Sequence, residues 1–217
     1  MKGIIFDLDG TMVDNMMVHH RAWQRKLSAL GLDLTLEEVM DQIHGINEEI
    51  VERLFGDRFN REQRDRISWE KEFEYRQLFK ENLQLISGLP EFLLQLKQAG
   101  TPLAVGTAAP PENVDFVLDN LNIRQFFQSV LHSKNVAKGK PDPEIFLRSA
   151  ENLGVPIEDC VVFEDSVVGA QTALNSGCPV IVVTTTHNKE EFSHFPHVVR
   201  FIQDYQGLHF NDLLTVN

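Results

Sequence analysis

Cationic side chains are scarce in this 217-residue chain: 20 Lys and Arg stand against 32 Asp and Glu, a formal net charge of −12 with His neutral. Attraction to nucleic acid or anionic lipid is driven by Lys and Arg against phosphate, so this balance argues against both partners. A phosphate ligand would need a local cation to receive it. Cysteine is nearly absent as well. Cys160 and Cys178 each stand just before an apolar β-branched run, where a reduced thiol packs as a small hydrophobe, and they form no disulfide framework. No window comes near the roughly 18 consecutive apolar residues of a membrane span. The run Ile4-Ile5-Phe6 after Met1 is too short for the h-region of a signal peptide. The expectation is a soluble, cytoplasmic protein, and a monomer. Repeats, low-complexity tracts and long charge runs are also missing. An apolar share of 42% and a charged share of 24% suit a globular chain, with room for one α/β unit and a small insertion.

What is present is a regular alternation with one interruption. GIIFDL at 3–8 reads as a short buried parallel strand, and DGT follows as a turn. From about Asn15 to Glu81 there is no strand pattern. Stretches rich in Leu, Glu, Arg, Gln and Met, broken at Gly31, Gly45 and Gly56, predict three or four helices. The longest, about Arg61 to Lys80, pairs Trp69 with Phe73 and Tyr75 with Phe79 at helical spacing, a stripe expected to face a core. After Gly88-Leu89-Pro90, predicted helices (91–99, 111–121, 143–153, 168–175) alternate with apolar runs (102–106, 129–132, 160–163, 179–183). Repeated βα units predict a mainly parallel sheet with helices on both faces. The helical stretch is then an insertion: residues 1–14 and 84–217 form the α/β core and 15–83 a small all-α cap.

In open α/β sheets ligands sit outside the carboxyl ends of the strands, so the polar residues ending each apolar run are the candidates. They are Asp7 and Asp9, Thr107, and Glu164 with Asp165. Four carboxylates from two strand ends would repel unless a cation lay among them, and hard oxygen ligands point to Mg²⁺. Lys140, in the proline-stiffened loop KGKPDP, is the natural counter-charge. Thr107 can donate a hydroxyl hydrogen bond to a phosphoryl oxygen. A nucleophile, a second carboxylate two residues on, a metal site and a cationic clamp make a phosphoryl-transfer inventory.

These residues carry a resemblance. DLDGT at 7–11, Thr107 after LAVG, Lys140 in KGKPDP and FEDSVVGAQTALNSG from 163 resemble, in order, the four motifs of the haloacid dehalogenase superfamily. VDN at 13–15, HHRAW with His19 and Trp23, and the helical insertion resemble its β-phosphoglucomutase-like branch. The resemblance implies a Rossmann-like core, Mg²⁺ as cofactor, and an aspartyl-phosphate on Asp7 with Asp9 as general acid and base. It implies that Asp7, Asp9 through its carbonyl, and Asp165 ligate the metal, that Glu164 completes the shell through water, and that Thr107 and Lys140 hold the phosphoryl group. By the same carry-over His19, Trp23, Gly45, Lys71, Thr107 and Ala108 would contact substrate. Cap and core are expected to open and close about 13–16 and 83–88.

Asp9 argues against dehalogenation, since dehalogenases of this superfamily lack an acid there. What receives the phosphoryl group separates the readings that remain. In the glucose-phosphate mutases of the branch a cap-loop arginine anchors a second phosphate. The comparable stretch, His44 to Glu49, places Glu48 at that position, where an anion should repel a phosphate. The expectation is a phosphatase acting on a small phosphomonoester such as a sugar phosphate. Arg53 lies one helical turn on and keeps the mutase as the second reading; an inactive binding protein on the same fold is the third.

Overall fold

The computed structural model describes residues 2–43 and 45–213. The chain divides into two compact units, Met1–Asp14 with Gln84–Asn217 and Asn15–Leu83. Among the described residues no helix is long and apolar enough to cross a membrane.

The first unit begins with β1 (Gly3–Phe6), every residue of which is buried. The chain then enters the helical unit. Here α1 (Met16–Ala29) buries His19, Ala22, Trp23 and Leu27, a stripe at three- and four-residue spacing. It is followed by α2 (Leu36–Gln42) and α3 (Asn47–Phe55). The longest helix, α4 (Arg61–Phe79), buries Ile67, Ser68, Lys71, Glu72, Tyr75 and Phe79. Capping boxes at Thr35/Glu38 and Asn60/Gln63 start α2 and α4 by satisfying amides that the first turn leaves open. Trp23, Leu27, Val39, Ile43, Ile50, Val51 and Ile67 form this unit's apolar centre.

The aromatic stripe expected along α4 holds only in part. Tyr75 and Phe79 are buried, whereas Trp69 and Phe73 are 54% and 47% exposed and stack on each other at 5.7 Å. Spacing of four keeps each pair on one face, but Tyr75 sits six residues beyond Trp69, over halfway round the helix.

Back in the α/β unit, α5 (Leu89–Gln98), β2 (Leu103–Gly106), α6 (Pro111–Asn120) and β3 (Ser129–Leu131) run to one side of β1. Then α7 (Glu144–Leu153), β4 (Cys160–Glu164), α8 (Val167–Ser176), β5 (Val180–Val183) and β6 (Val198–Ile202) run to the other, with a last turn α9 (Phe210–Leu213). The sheet is parallel, in the order β3-β2-β1-β4-β5-β6. The chain reverses direction across the sheet between β1 and β4, the switch point where such folds bind ligands.

Both faces of the strands are covered. Ile5, Ala104, Val162 and Val180 pack with Ile145, Phe146, Ala170 and Ala173 of α7 and α8. On the alternate residues Phe6 stacks on Phe163 at 4.9 Å, and Phe92 and Tyr205 close over them. Cys160 and Cys178 are buried free thiols, burial pushing both well up, Cys160 to about 11.

Two differences from the sequence reading bear on the site. The fourth strand extends one residue beyond Phe163, so Glu164 pairs in the ladder with Val182 and its backbone is fixed. A sixth strand, VVRFI, was not anticipated. It is an edge strand, partly exposed and carrying Arg200, and lacks the continuous apolar run of a buried strand.

Candidate active site

Asp7 directly follows β1, and its N–H extends the ladder to the Phe163 carbonyl at 3.0 Å. The chain must then turn sharply. The Leu8 carbonyl accepts from Met12 N–H at 2.8 Å, and Gly10 adopts φ +69°. A Cβ on Gly10 would lie 2.0 Å from Asp165 Oδ2, so only glycine lets the turn approach that carboxylate. Asp165 comes from the end of β4. One ligand oxygen each from Asp7, Glu164 and Asp165 lies within 4.8 Å of the others, all three residues buried.

Lys140 enters this cluster from the loop before α7. Its ammonium donates to Asp7 Oδ1 at 2.7 Å and to Glu164 Oε1 at 2.6 Å, and it lies 4.8 Å over the Phe146 ring. Glu164 is the most completely held of the three. Its Oε2 accepts from the amides of Asp165 and Ser166 and from the Ser166 hydroxyl, each at 2.9 Å. Gly169, in the first turn of α8, makes room for it: a Cβ there would fall 1.8 Å from the Glu164 carboxyl carbon.

The charges do not cancel. Fully ionised, the three carboxylates and one ammonium would leave two negative charges uncompensated. Burial pushes Asp7 up to about 7, Lys140 pulling against it while Glu164 and Asp9 add to it. Burial and the charges of Glu164 and Asp7 hold Asp165 well above the usual carboxylate range, against a hydrogen bond from Thr186. Glu164 goes the other way: burial would raise it, but Lys140 and the Ser166 donors outweigh burial and lower it. Burial disfavours the Lys140 ammonium, yet Asp7 and Glu164 overcome that and raise it. A buried, all-oxygen donor set short of two positive charges fits a hard divalent cation.

Thr107 follows β2, is buried, and accepts the Ala109 N–H on its hydroxyl oxygen at 3.2 Å, which leaves the hydroxyl proton to donate. Ala108 beside it is exposed, and Asp9 is half-buried.

The cap candidates gather among themselves. Lys71 Nζ lies 2.8 Å from His19 Nδ1 and 2.8 Å from Glu72 Oε1, and Asn47 donates to the same Glu72 oxygen at 2.7 Å. His19 stacks on Tyr75 at 3.8 Å, and Lys71 sits 5.5 Å from the centre of the Trp23 ring. Lys71 is only 2% exposed despite lying on a helix rich in charged residues. Gly45 is exposed at φ +95°, and Arg53 donates to the Gln42 carbonyl. Glu48 lines a hollow with Glu49, Glu52, Arg61, Arg64 and Asp65. His44 lies outside the described residues.

Sequence reasoning passed over Ser166, Gly169, Thr185, Thr186, Glu72, Asn47 and Tyr205. Ser166 and Gly169 stood inside the quoted FEDSVVGAQTALNSG stretch and were within reach. Thr185, Thr186, Asn47 and Tyr205 carry no local signal, because their partners lie far along the chain, and Glu72 pairs with the adjacent Lys71 inside a helix rich in charge.

The family model described as haloacid dehalogenase-like hydrolase matches residues 1–177. A β-phosphoglucomutase of Bacillus subtilis is 31% identical over 186 residues, covering 82% of this chain and 80% of that protein. A phosphorylated carbohydrates phosphatase of Thermotoga maritima is 31% identical over 182 residues, with 82% of each covered. Among solved structures, a family IA variant 3 hydrolase from Entamoeba histolytica superposes with a TM-score of 0.91 at 24% identity, covering 100% of this chain and 99% of that one, which shows a shared fold. The chain is therefore an enzyme belonging to the haloacid dehalogenase-like hydrolases, of the β-phosphoglucomutase-like branch.

Proposed function

We propose that the protein is a Mg²⁺-dependent phosphatase that hydrolyses a small phosphomonoester, a sugar phosphate, through an aspartyl-phosphate on Asp7. The observation that carries this is the buried Asp7–Lys140–Glu164 ion pair system, 2.7 and 2.6 Å, with Asp165 beside it at the switch point of the sheet. Relatives named for phosphorylated carbohydrates support the substrate class.

In the first half-reaction a carboxylate oxygen of Asp7 attacks phosphorus, and the bond from phosphorus to the sugar oxygen breaks. Asp9, two residues on, gives its proton to that leaving oxygen. In the second, Asp9 takes a proton from water, the water oxygen attacks phosphorus, and the bond to Asp7 breaks to release phosphate. Splitting one displacement in two lowers each barrier, and acid–base help of this kind contributes roughly 10²- to 10⁴-fold. Lys140 and the Thr107 hydroxyl hold the phosphoryl oxygens, while Glu164, its oxygens already occupied, fixes Lys140. Mg²⁺ bound by Asp7, Asp165 and the Asp9 carbonyl, with Glu164 in its outer shell, would neutralise charge on the phosphoryl group.

The similarity to a β-phosphoglucomutase keeps transfer to a second sugar hydroxyl as the other reading. Glu48 favours hydrolysis: its hollow holds four carboxylates and two arginines, a poor seat for a second phosphate. A panel of phosphorylated metabolites with Mg²⁺, read as kcat/KM, tests the proposal. Turnover should disappear in Asp7→Asn. β-Glucose 1-phosphate with a trace of the bisphosphate should give free phosphate; glucose 6-phosphate as product would establish the mutase instead, and Glu48→Arg should move the partition toward it.

A further inference from the structure

The turn carrying Asp9 is closed from outside itself. Inside the turn, the Leu8 carbonyl accepts from Thr11, Met12 and Val13, and Gly10 N–H donates to the Val13 carbonyl at 2.8 Å. Of the four carbonyls between Leu8 and Val13, those of Gly10, Thr11 and Met12 each meet a donor from far along the chain. The Thr185 hydroxyl donates to Gly10, the Tyr205 hydroxyl to Thr11 at 3.0 Å, and Ile86 N–H to Met12 at 2.9 Å. Thr185 follows β5 and Tyr205 follows β6.

Tyr205 is itself immobilised. It is 1% exposed, its ring packs 5.6 Å from Phe163 and 5.9 Å from Phe92, and its N–H donates to the Ser87 carbonyl at 2.9 Å. Gly88, at φ +81°, closes against its backbone so tightly that a Cβ would lie 2.4 Å from the Tyr205 carbonyl carbon. The phenol is therefore a fixed donor, aimed at a carbonyl two residues beyond Asp9.

We infer that Thr185 and Tyr205 are positioning residues for Asp9, clasping consecutive carbonyls of its turn; this rests on Asp9 being the acid and base of the proposed reaction. Proton transfer needs the carboxyl within hydrogen-bond reach of the leaving oxygen, and misplacement by about 1 Å can cost on the order of 10²-fold. Neither hydroxyl touches the reacting atoms. Both act through the backbone whose path aims the Asp9 side chain.

The leaving group supplies the test. A sugar alkoxide must be protonated as it departs, whereas p-nitrophenolate leaves without help, and kcat/KM reports the steps up to its departure. Tyr205→Phe keeps the packed ring and Thr185→Val keeps the shape. Each should lower kcat/KM for a sugar phosphate about 10-fold and leave that for p-nitrophenyl phosphate within about twofold. Thr185→Ser should restore the wild-type ratio. In an Asp9→Asn background, Tyr205→Phe should cost nothing further, because its route to the chemistry is gone. Equal losses on both esters, an undiminished loss in the Asp9→Asn background, or no loss at all would overturn the inference. Should Tyr205→Phe fail to fold in a thermal melt, Thr185→Val and its serine rescue decide. Wild-type protein that turns over neither ester, or Asp7→Asn that keeps turnover, would instead sink the phosphatase reading.

Discussion

At Gly169 two physical effects of opposite sign meet, and the larger can be named. Alanine in place of a helical glycine ordinarily stabilises by about 1 kcal/mol. Here the new methyl would sit 1.8 to 2.1 Å from the three carboxyl atoms of Glu164. Glu164 cannot retreat, since its oxygens are bound by Lys140, two amides and the Ser166 hydroxyl. Gly169→Ala should therefore lower the melting temperature and reduce kcat/KM on a phosphomonoester by at least about 10-fold, through displacement of Glu164 and the Lys140 it holds. An unchanged melt with full activity would show that Glu164 has another place to go. Lys140 poses the complementary case. Lys140→Met leaves Asp7 and Glu164 buried without their ammonium, a loss of about 3–5 kcal/mol for a broken buried pair. Adding Glu164→Gln should recover part of that stability and none of the activity, as melting and turnover measured on the same samples would show.

Helices α1, α3 and α4 are tied by polar contacts that one titration can probe. Burial would raise Glu72, but the charges of Lys71 and His19 and the hydrogen bonds from Lys71 and Asn47 outweigh it and bring Glu72 down to about 2. A carboxylate lowered in the folded state contributes stability that is full above its unfolded value of 4.5 and is lost as pH falls toward 2. The difference amounts to about 3 kcal/mol. Chemical denaturation of the helical unit followed between pH 5 and pH 2 should show this slope, and Glu72→Gln should be less stable at pH 7 and flatter across the window. An equal slope in the variant would place the acid sensitivity elsewhere. These contacts also mark where a sequence stops being legible. Asp7, Thr107, Glu164 and Asp165 could be read directly because they stand at the carboxyl ends of short continuous apolar runs, the signature of buried parallel strands and the edge where such sheets bind ligands. Lys71 and Glu72 lie in a helix so rich in charge that burial leaves no local mark, and beyond each other their partners come from two other helices. β6 was invisible for a related reason: an edge strand interrupted by Arg200 lacks the signature that made the other five strands of the sheet readable.

Across the molecule, 32 acidic residues against 20 basic ones leave an excess of negative charge that the candidate site concentrates in buried form. Under the proposed metal role Asp165 is a liability without the ion and an asset with it, and the two conditions separate the effects. Binding to the folded state alone stabilises by RT ln(1 + [L]/Kd), about 2.7 kcal/mol at a hundredfold excess over Kd. For a domain of this size that corresponds to a rise of roughly 5–10 °C in melting temperature. Wild-type protein should therefore melt higher as Mg²⁺ is added, and chelation should reverse the shift. Asp165→Asn removes one of three mutually repelling carboxylates, so in chelator it should melt above the wild type, since burial and the charges of Glu164 and Asp7 already disfavour the ionised Asp165. With saturating Mg²⁺ the order should invert, because the variant has lost a ligand and gains little from the ion. Differential scanning calorimetry of both proteins, with and without Mg²⁺, reads all four values. Curves that stay parallel, the variant displaced by the same amount in both buffers, would mean that Asp165 does not hold the cation.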